Sequence, residues 1–411
     1  MTRHDPLTSA ESSLGFGIFD ADSHYYEPRD AFTRYMPRDR LDQAVRVETD
    51  GEGNEAILVG DRPFTFLTPL YDEVAPPGSL REMLRNLSSG SISENARSHP
   101  VQPEYQHWHS RLELMDRQGV EQAILLPSLG VCVEHFMETP DQTFANLRAF
   151  NRWLDDDWGF ASENRIFGVP MLSLRDVDAA VDELTYVLDR GARVVHLRPG
   201  PVDGRSLADP VFDRFWGLVD ESRTTVAFHI SESGYNQLYS TAWGEQANPS
   251  SHHQSAFQWT FFYGDRPIME TIGALVLHNL FGRFPNVQVL SVENGSLWVP
   301  YLLKAMDKMK GMGRNGPWLG GPVEGRPSEI FKRHVTVSPY HEEDVGSLVE
   351  LIGVDRVAFG SDFPHPEGLA VPSDFLGTID QLSSEEIRKI MRDNGRALVG
   401  ASSERDIEGP R

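Results

Sequence analysis

The chain has 411 residues, with 38 Lys and Arg against 61 Asp and Glu and a formal net charge of −23, so its surface repels nucleic acid and anionic membranes. Hydrophobic residues make up 39%, enough for a large core, yet no run reaches the roughly 18 apolar residues of a membrane span and the start, Met1 to Ser13, has no signal-peptide core. A single cysteine, Cys132, excludes an intrachain disulfide and a Cys-built zinc cluster; a soluble cytoplasmic protein is expected, with any metal chemistry resting on His, Asp and Glu.

Residues 1–15 and 401–411 are polar and unpatterned and read as disordered tails, leaving 16–400 as a single domain. Short apolar runs alternate there with amphipathic segments: 18–22, 122–127, 165–171, 192–197, 225–230, 287–292, 335–338 and 356–360. Helical spacing follows over 176–190, 209–221, 269–284 and 384–399, with Gly191 and Gly282 as stop signals and Ser384 and Glu386 at the start of the last. Near-continuous apolar strands, eight times over, each followed by a helix, predict an α/β fold of the (β/α)8 TIM-barrel type. An insertion over 35–107 follows strand one, holding a hairpin (44–48 and 55–59) and a Leu- and Ser-rich lid over 80–92. A second long loop, 235–266, follows strand five.

Barrel chemistry sits at the C-terminal strand ends. Strand one ends in Asp20-Ala21-Asp22-Ser23-His24, strand five in Phe228-His229, strand six in Val292-Glu293-Asn294 and strand eight in Gly360-Ser361-Asp362. Two residues apart on a strand, Asp22 and His24 share a face. A lone strand-end His is usually a hydrogen-bonded structural residue, but four ends carrying His or carboxylate point to a metal. Asp22, His24, His229, Glu293 and Asp362 make a hard oxygen and imidazole set suited to Fe(II) or Mn(II). His365, between Pro364 and Pro366, is a further ligand, a hydrogen-bond partner of one, or a fixed loop residue.

With Ser361-Asp362-Phe363-Pro364-His365-Pro366, Gly119-Val120-Glu121, His196-Leu197-Arg198-Pro199 and Glu293-Asn294-Gly295-Ser296-Leu297-Trp298, the chain from about Phe16 to Leu398 resembles the amidohydrolase-related family. That branch includes aminocarboxymuconate semialdehyde decarboxylase. The resemblance implies the amidohydrolase-like barrel and a metal. Departures stand beside it: Asp22 replaces the first His of the usual His-x-His, strand four offers no lysine for a carbamate, and Glu293 stands where the decarboxylases carry a histidine. The Asp-Ser-His-Tyr-Tyr-Glu-Pro and Val-Glu-Asn-Gly motifs are also similar to the amidohydrolase-fold nonheme di-iron monooxygenases of platensimycin and platencin biosynthesis. That likeness implies two Fe, O2, an external electron donor and hydroxylation of a bulky diterpenoid-type substrate, for example a coenzyme A thioester, in antibiotic biosynthesis; homodimers are common in the family. Glu293 or Asp362 then bridges the irons.

The alternative is a one-metal Zn or Mn hydrolase or nonoxidative decarboxylase, with Asp362 as general base and Arg198 clamping a substrate carboxylate. A third reading is a barrel that has lost catalysis and only binds. Arg198 reads as a substrate contact or as a partner of Asp209. Tyr25, Trp243 and Trp298 are expected at the mouth as substrate contacts, with Tyr26, Phe257, Trp259, Phe261 and Phe262; plain packing is the competing account of such aromatic runs. His252-His253 reads as a solvated pair, Cys132 as a small buried residue and His278 as structural.

Overall fold

The computed structural model describes residues 14–68, 71–89 and 97–400. The tails expected over 1–15 and 401–411 lie outside them, apart from Leu14 and Gly15. The first stave, Ile18–Tyr25, runs parallel to the second, Val120–Pro127, which pairs with Ile166–Gly168 of the third. Pro170 has no N–H to give, so the third stave breaks there and resumes as Met171–Leu172 against the fourth, Val194–Leu197. The fifth (Thr225–His229), sixth (Gln288–Val292) and seventh (Val335–Val337) follow in order.

The run over 356–360 departs from the strand expected of it. It opens on a 3-10 turn, Val354–Arg356, and touches the seventh stave through one bridge, Val337 to Val357. Its backbone is nonetheless tied to its neighbours: Ala358 N donates to Val337 O, Phe359 N to Ile390 O, and Phe359 O accepts from Ala21 N. With Asp362 N donating to Asp22 O and a bridge between Ser23 and Phe363, the eighth stave closes the barrel against the first. Phe19, Ala21, Ile124, Leu126, Ala227 and Leu290 fill its axis, with Leu398 and Val399 packed against them.

The outer helices follow their apolar periodicity, with local breaks. Val177–Asp189 is capped by Asp176, which accepts from Ala179 N, and Gly191 takes φ +91° just past its end. The segment over 209–221 is a 3-10 turn, Pro210–Phe212, leading into Asp213–Ser222. That over 269–284 is two helices, Asp265–Leu277 and Leu280–Arg283, broken at Asn279 (φ +57°), so Gly282 lies inside a helix and stops none. The closing helix is capped by Ser383, one residue earlier than read, in a box with Glu386. It then widens into a π turn, Lys389–Asp393, whose Ile390 carbonyl is the acceptor for Phe359 N.

The insertion forms an antiparallel sheet of Val45–Thr49, Glu55–Val59 and Arg62–Phe64. Buried Asn146, on the helix Pro140–Asp157, pins it by accepting from Val45 N (2.7 Å) and donating to Gln43 O (3.0 Å). Of the expected lid, Leu80–Ser89 is helical and 90–92 lie outside the described residues. Gly78 N and Leu80 N donate to His365 O and Pro366 O, tying the insertion to the loop after stave eight. Among the described residues no helix is long and apolar enough to cross a membrane.

Gly360 lets the eighth stave lie on the first: a Cβ there would come within 2.4 Å of Asp22 Cβ and 2.6 Å of Ser338 Oγ. Gly360→Ala is expected to cost about 1–3 kcal/mol by overpacking, read as a lower urea midpoint at unchanged m-value.

Candidate metal centre

Four staves deliver the site. Asp22 and His24 end the first, His229 the fifth, Glu293 follows the sixth and Asp362 the eighth. The first ladder slips register between Asp20 and Ser23, a bulge of the kind that re-aims side chains beside functional sites. Glu293 (φ +52°) and Asp362 (φ +55°) both hold left-handed backbone, a strain their surroundings must fix. For Glu293, Tyr340 Oη donates to its carbonyl (2.7 Å), while the next residue, Asn294, donates to Phe228 O (2.9 Å) and Val292 O (2.8 Å). For Asp362, its own N–H bonds to Asp22 O at 2.7 Å.

The donor atoms converge. His229 Nε2 lies 3.1 Å from His24 Nε2, 3.0 Å from Glu293 Oε2 and 3.8 Å from Asp22 Oδ1. His24 Nε2 lies 3.3 Å from Asp22 Oδ1 and 3.5 Å from Asp362 Oδ1. Bonds of about 2.1 Å to one ion put ligand atoms roughly 3.0–3.4 Å apart along the edges of an octahedron or tetrahedron, so these spacings fit a shared cation. His229 Nδ1 is engaged with Ile230 O at 2.6 Å, which makes it the protonated nitrogen and leaves Nε2 a lone pair facing the centre. Asp22 Oδ1 is buried without a hydrogen-bond partner.

Electrostatics point the same way. Burial, with Glu293 and Asp20 adding repulsion, pushes the Asp22 carboxyl well above its usual range. Burial and Glu293 do the same to Asp362. Burial drives His24 well below the ordinary imidazole value, so it is neutral and fit to ligate. Burial at His229 is outweighed by the facing Glu293 and Asp22, which raise its imidazole above the ordinary value. An orphaned acid, the neutral His24 and crowded carboxylates form a donor set that a divalent ion fits.

His365 is a hydrogen-bond partner of a candidate ligand. Its Nδ1 sits 2.7 Å from Asp362 Oδ1 and its Nε2 2.8 Å from Ser128 Oγ, so both nitrogens are occupied. It still lies within reach of the cluster: one donor atom each of His24, Glu293, Asp362 and His365 lie within 4.8 Å of one another, as do those of Asp22, His24 and His229.

Three expected mouth residues sit elsewhere. Tyr25 is fully buried between Trp153 and Trp158, its ring 5.5 and 5.2 Å from theirs, because alternation on stave one turns it outward into the helix layer when His24 faces in. Trp298 is 3% exposed, donates to Gly295 O and packs on Phe331 as the first residue of a helix. Trp243 is 73% exposed beside Phe257 on a surface turn and lines none of the centre's contacts among the described residues. Arg198 pairs with Glu134 (3.8 Å), not Asp209, and gives its Nη atoms to the carbonyls of Pro199, Ser233 and Pro201. Cys132 is buried, and His278, hydrogen-bonded to Ser206, follows a helix end as a structural residue.

Sequence reasoning missed the supports. Buried Arg111 donates to Ser23 Oγ, His24 O and Glu104 O and stands 5.2 Å over the Phe363 ring, bracing the ends of staves one and eight. Asp20 accepts from Ser361 N, Ser361 Oγ and Asp22 N, joining the same two ends. Glu27 accepts from Leu129 N and Gly130 N and locks the loop after stave two. The one sequence signal was Asp20 and Glu27 flanking the ligand pair; nothing local marked Arg111.

A family model described as Amidohydrolase matches residues 96–401. An amidohydrolase crystal structure from Mycobacterium avium subsp. paratuberculosis is 36% identical, with TM-score 0.85 over 94% of this chain and 99% of that one. At 16% identity lie two further structures that share the fold. One is 5-carboxyvanillate decarboxylase from Novosphingobium aromaticivorans, complexed with manganese (TM-score 0.62, 97% of this chain, 100% of that). The other is dihydroxybenzoic acid decarboxylase from Polaromonas, with bound manganese and 2-nitroresorcinol (TM-score 0.61, 96% and 100%). Curated protein sequences gave no match. The chain belongs to the amidohydrolase family, and so to the enzymes of the amidohydrolase superfamily.

Proposed function

We propose that the protein is a mononuclear Mn- or Zn-dependent hydrolase or nonoxidative decarboxylase. The observation that carries this reading is the convergence of Asp22, His24, His229, Glu293 and Asp362 at ligand-edge spacings of 3.0–3.8 Å. The two decarboxylases of the same fold, each holding manganese, support it. A divalent ion bound there would supply Lewis acidity toward a substrate carbonyl or carboxyl oxygen.

The chain's own residues handle the proton. Ser128 Oγ donates to Tyr25 O (2.7 Å), so its oxygen accepts from His365 Nε2–H. His365 Nδ1 then faces Asp362 Oδ1 at 2.7 Å, and one proton must lie between them. The Asp362–His365 pair therefore already holds a proton, which it can deliver as a general acid and afterwards take back as a base. His365 acts through Asp362, as a positioning residue.

The di-iron monooxygenase is the second reading. It is favoured by one observation, the two overlapping donor groups that share His24, which offer room for two ions. Elemental mass spectrometry of protein purified without chelator separates the two. About one manganese or zinc per chain is expected; two irons per chain, with O2 consumed on reduction, would overturn the mononuclear reading.

Asp22→Asn gives a second test. Removing one buried charge should weaken Mn(II) binding at least tenfold by chelator competition. The metal-free variant should melt above metal-free parent protein, since the like-charge repulsion is relieved, and added Mn(II) should no longer raise its Tm. A variant whose Tm still rises with Mn(II) as the parent's does would remove Asp22 from the ligand set.

A further inference from the structure

The loop after stave eight carries an acid that the donor cluster does not use. His365 N donates to Asp362 O (2.9 Å), Gly368 N to His365 O (3.2 Å) and Leu369 N to Ser361 O (2.8 Å), so the chain doubles back over Asp362. Gly368 is pressed against that residue: a Cβ there would meet Asp362 O at 2.5 Å. From the insertion, Leu80 N holds Pro366 O (2.8 Å). Glu367 stands within this turn, between Gly368 and the loop's His365, whose ring lies 4.1 Å from that of His24.

Glu367, Tyr263 and Tyr340 combine two properties. All three are open to water by area, Glu367 and Tyr340 as exposed residues and Tyr263 as a partly buried one. All three are nonetheless crowded by protein, and the desolvation raises Glu367 to about 7 and both phenols well above their ordinary value. A group that water reaches while protein surrounds it on its other sides lines a recess. The Glu293 charge adds to the rise in each, so the recess is the mouth above the donor cluster. Glu367 in turn raises Asp22, Asp362 and Tyr26, which sets it over the side built by staves one and eight.

The charge facing this recess is negative. No lysine or arginine figures among the main charges acting on Glu367, Tyr263 or Tyr340. Arg111 gives its nitrogens to Ser23 Oγ, His24 O and Glu104 O, and Arg198 gives its Nη atoms to the carbonyls of Pro199, Ser233 and Pro201. All five lysines belong to outer helices: Lys304, Lys308 and Lys310 to Trp298–Met312, Lys332 to Pro327–His334 and Lys389 to the closing π turn. The donor carboxylates match a bound divalent ion, so Glu367 leaves the recess negative. A substrate carboxylate entering there meets a repelling charge, and a repelling charge is a means of discrimination as effective as an attractive one.

We propose that Glu367 sets the charge of the substrate: the mouth admits a neutral or ammonium-bearing acyl compound and turns away one with a free carboxylate. This rests on the mononuclear reading of the donor cluster and narrows it to the hydrolase.

Isothermal titration at pH 8.5, where Glu367 is ionised, tests it with manganese-loaded parent and Glu367→Gln. The probes are three metal-binding compounds: benzohydroxamic acid, its 4-aminomethyl analogue and its 4-carboxy analogue. On the parent, the 4-carboxy probe is expected to bind at least tenfold more weakly than benzohydroxamic acid, and the 4-aminomethyl probe at least threefold more tightly. Glu367→Gln keeps the shape of the side chain, and no other residue among those described hydrogen-bonds this carboxylate. It should bring the three probes within about threefold of one another and leave benzohydroxamic acid within about twofold of its parent Kd. Equal Kd values for the three probes on the parent would overturn the proposal. So would a preference that persists in Glu367→Gln, which would trace to the donor carboxylates. In both cases binding that depends on manganese leaves the metal reading standing. Failure of every probe to bind, or binding unchanged by removing the metal, would overturn the mononuclear reading itself and the proposal with it.

Discussion

Three carboxylates and two imidazoles drawn to one buried point set the terms for the rest of this molecule. Asp22, Glu293 and Asp362 would separate if the chain let them, because like charges a few ångströms apart in a poorly solvated site repel strongly. The chain does not let them. Asp362 is held by its N–H on Asp22 O, and Glu293 by Tyr340 on its own carbonyl and Asn294 beside it, both residues in left-handed backbone. The buried cation behind the site, Arg111, gives its N–H groups to Ser23, the His24 carbonyl and the Glu104 carbonyl, so it braces the scaffold and leaves Asp22 Oδ1 orphaned. A scaffold that enforces repulsion and spends its buried arginine elsewhere is complementary to a cation from solution.

The barrel makes such enforcement practical. Eight parallel staves end at one mouth, so residues hundreds of positions apart in sequence, Asp22 and Asp362 above all, become neighbours without a dedicated linker. Closure between the eighth and first staves runs through individual backbone bonds and one bridge rather than a continuous register. That is also where the site is tightest: Gly360 against Asp22, Ser361 on Asp20, Asp362 on Asp22 O. Irregular pairing there frees the backbone to place Asp362 in a conformation that a regular strand would forbid.

What was legible in the sequence follows from this division. Apolar runs and their spacing reveal the barrel, because burial on both faces writes itself into continuous stretches, and strand-end acids and histidines point to the five candidate donors whose atoms converge. Hydrophobic pattern could not show that Pro170 splits a stave, that Asn279 breaks a helix, or that the eighth stave is held by single bonds, since these depend on one residue's backbone rather than on a period. Aromatic residues misled for the opposite reason. Tyr25 and Trp298 look like mouth residues by position, but one turns outward by strand alternation and the other begins a helix, and both are core. Arg111 was silent because two of its three acceptors are backbone carbonyls of distant segments, and carbonyls leave no trace in side-chain pattern.

The same charge accounting bears on how many ions the site wants. Taken alone, three carboxylates argue for two divalent ions. The 2.7 Å contact between Asp362 Oδ1 and His365 Nδ1 changes the balance, because Ser128 has already fixed the proton of His365 on Nε2. A further proton must sit in that contact, and it cancels one of the three negative charges. Two of the three donor charges remain, which one divalent cation neutralises, with Glu367 and Asp20 adding negative field from outside the donor set. Three carboxylates at one site thus do not by themselves imply a second metal. They are equally met by one metal and one shared proton, and a proton held between Asp362 and His365 is what hydrolysis and nonoxidative decarboxylation both require.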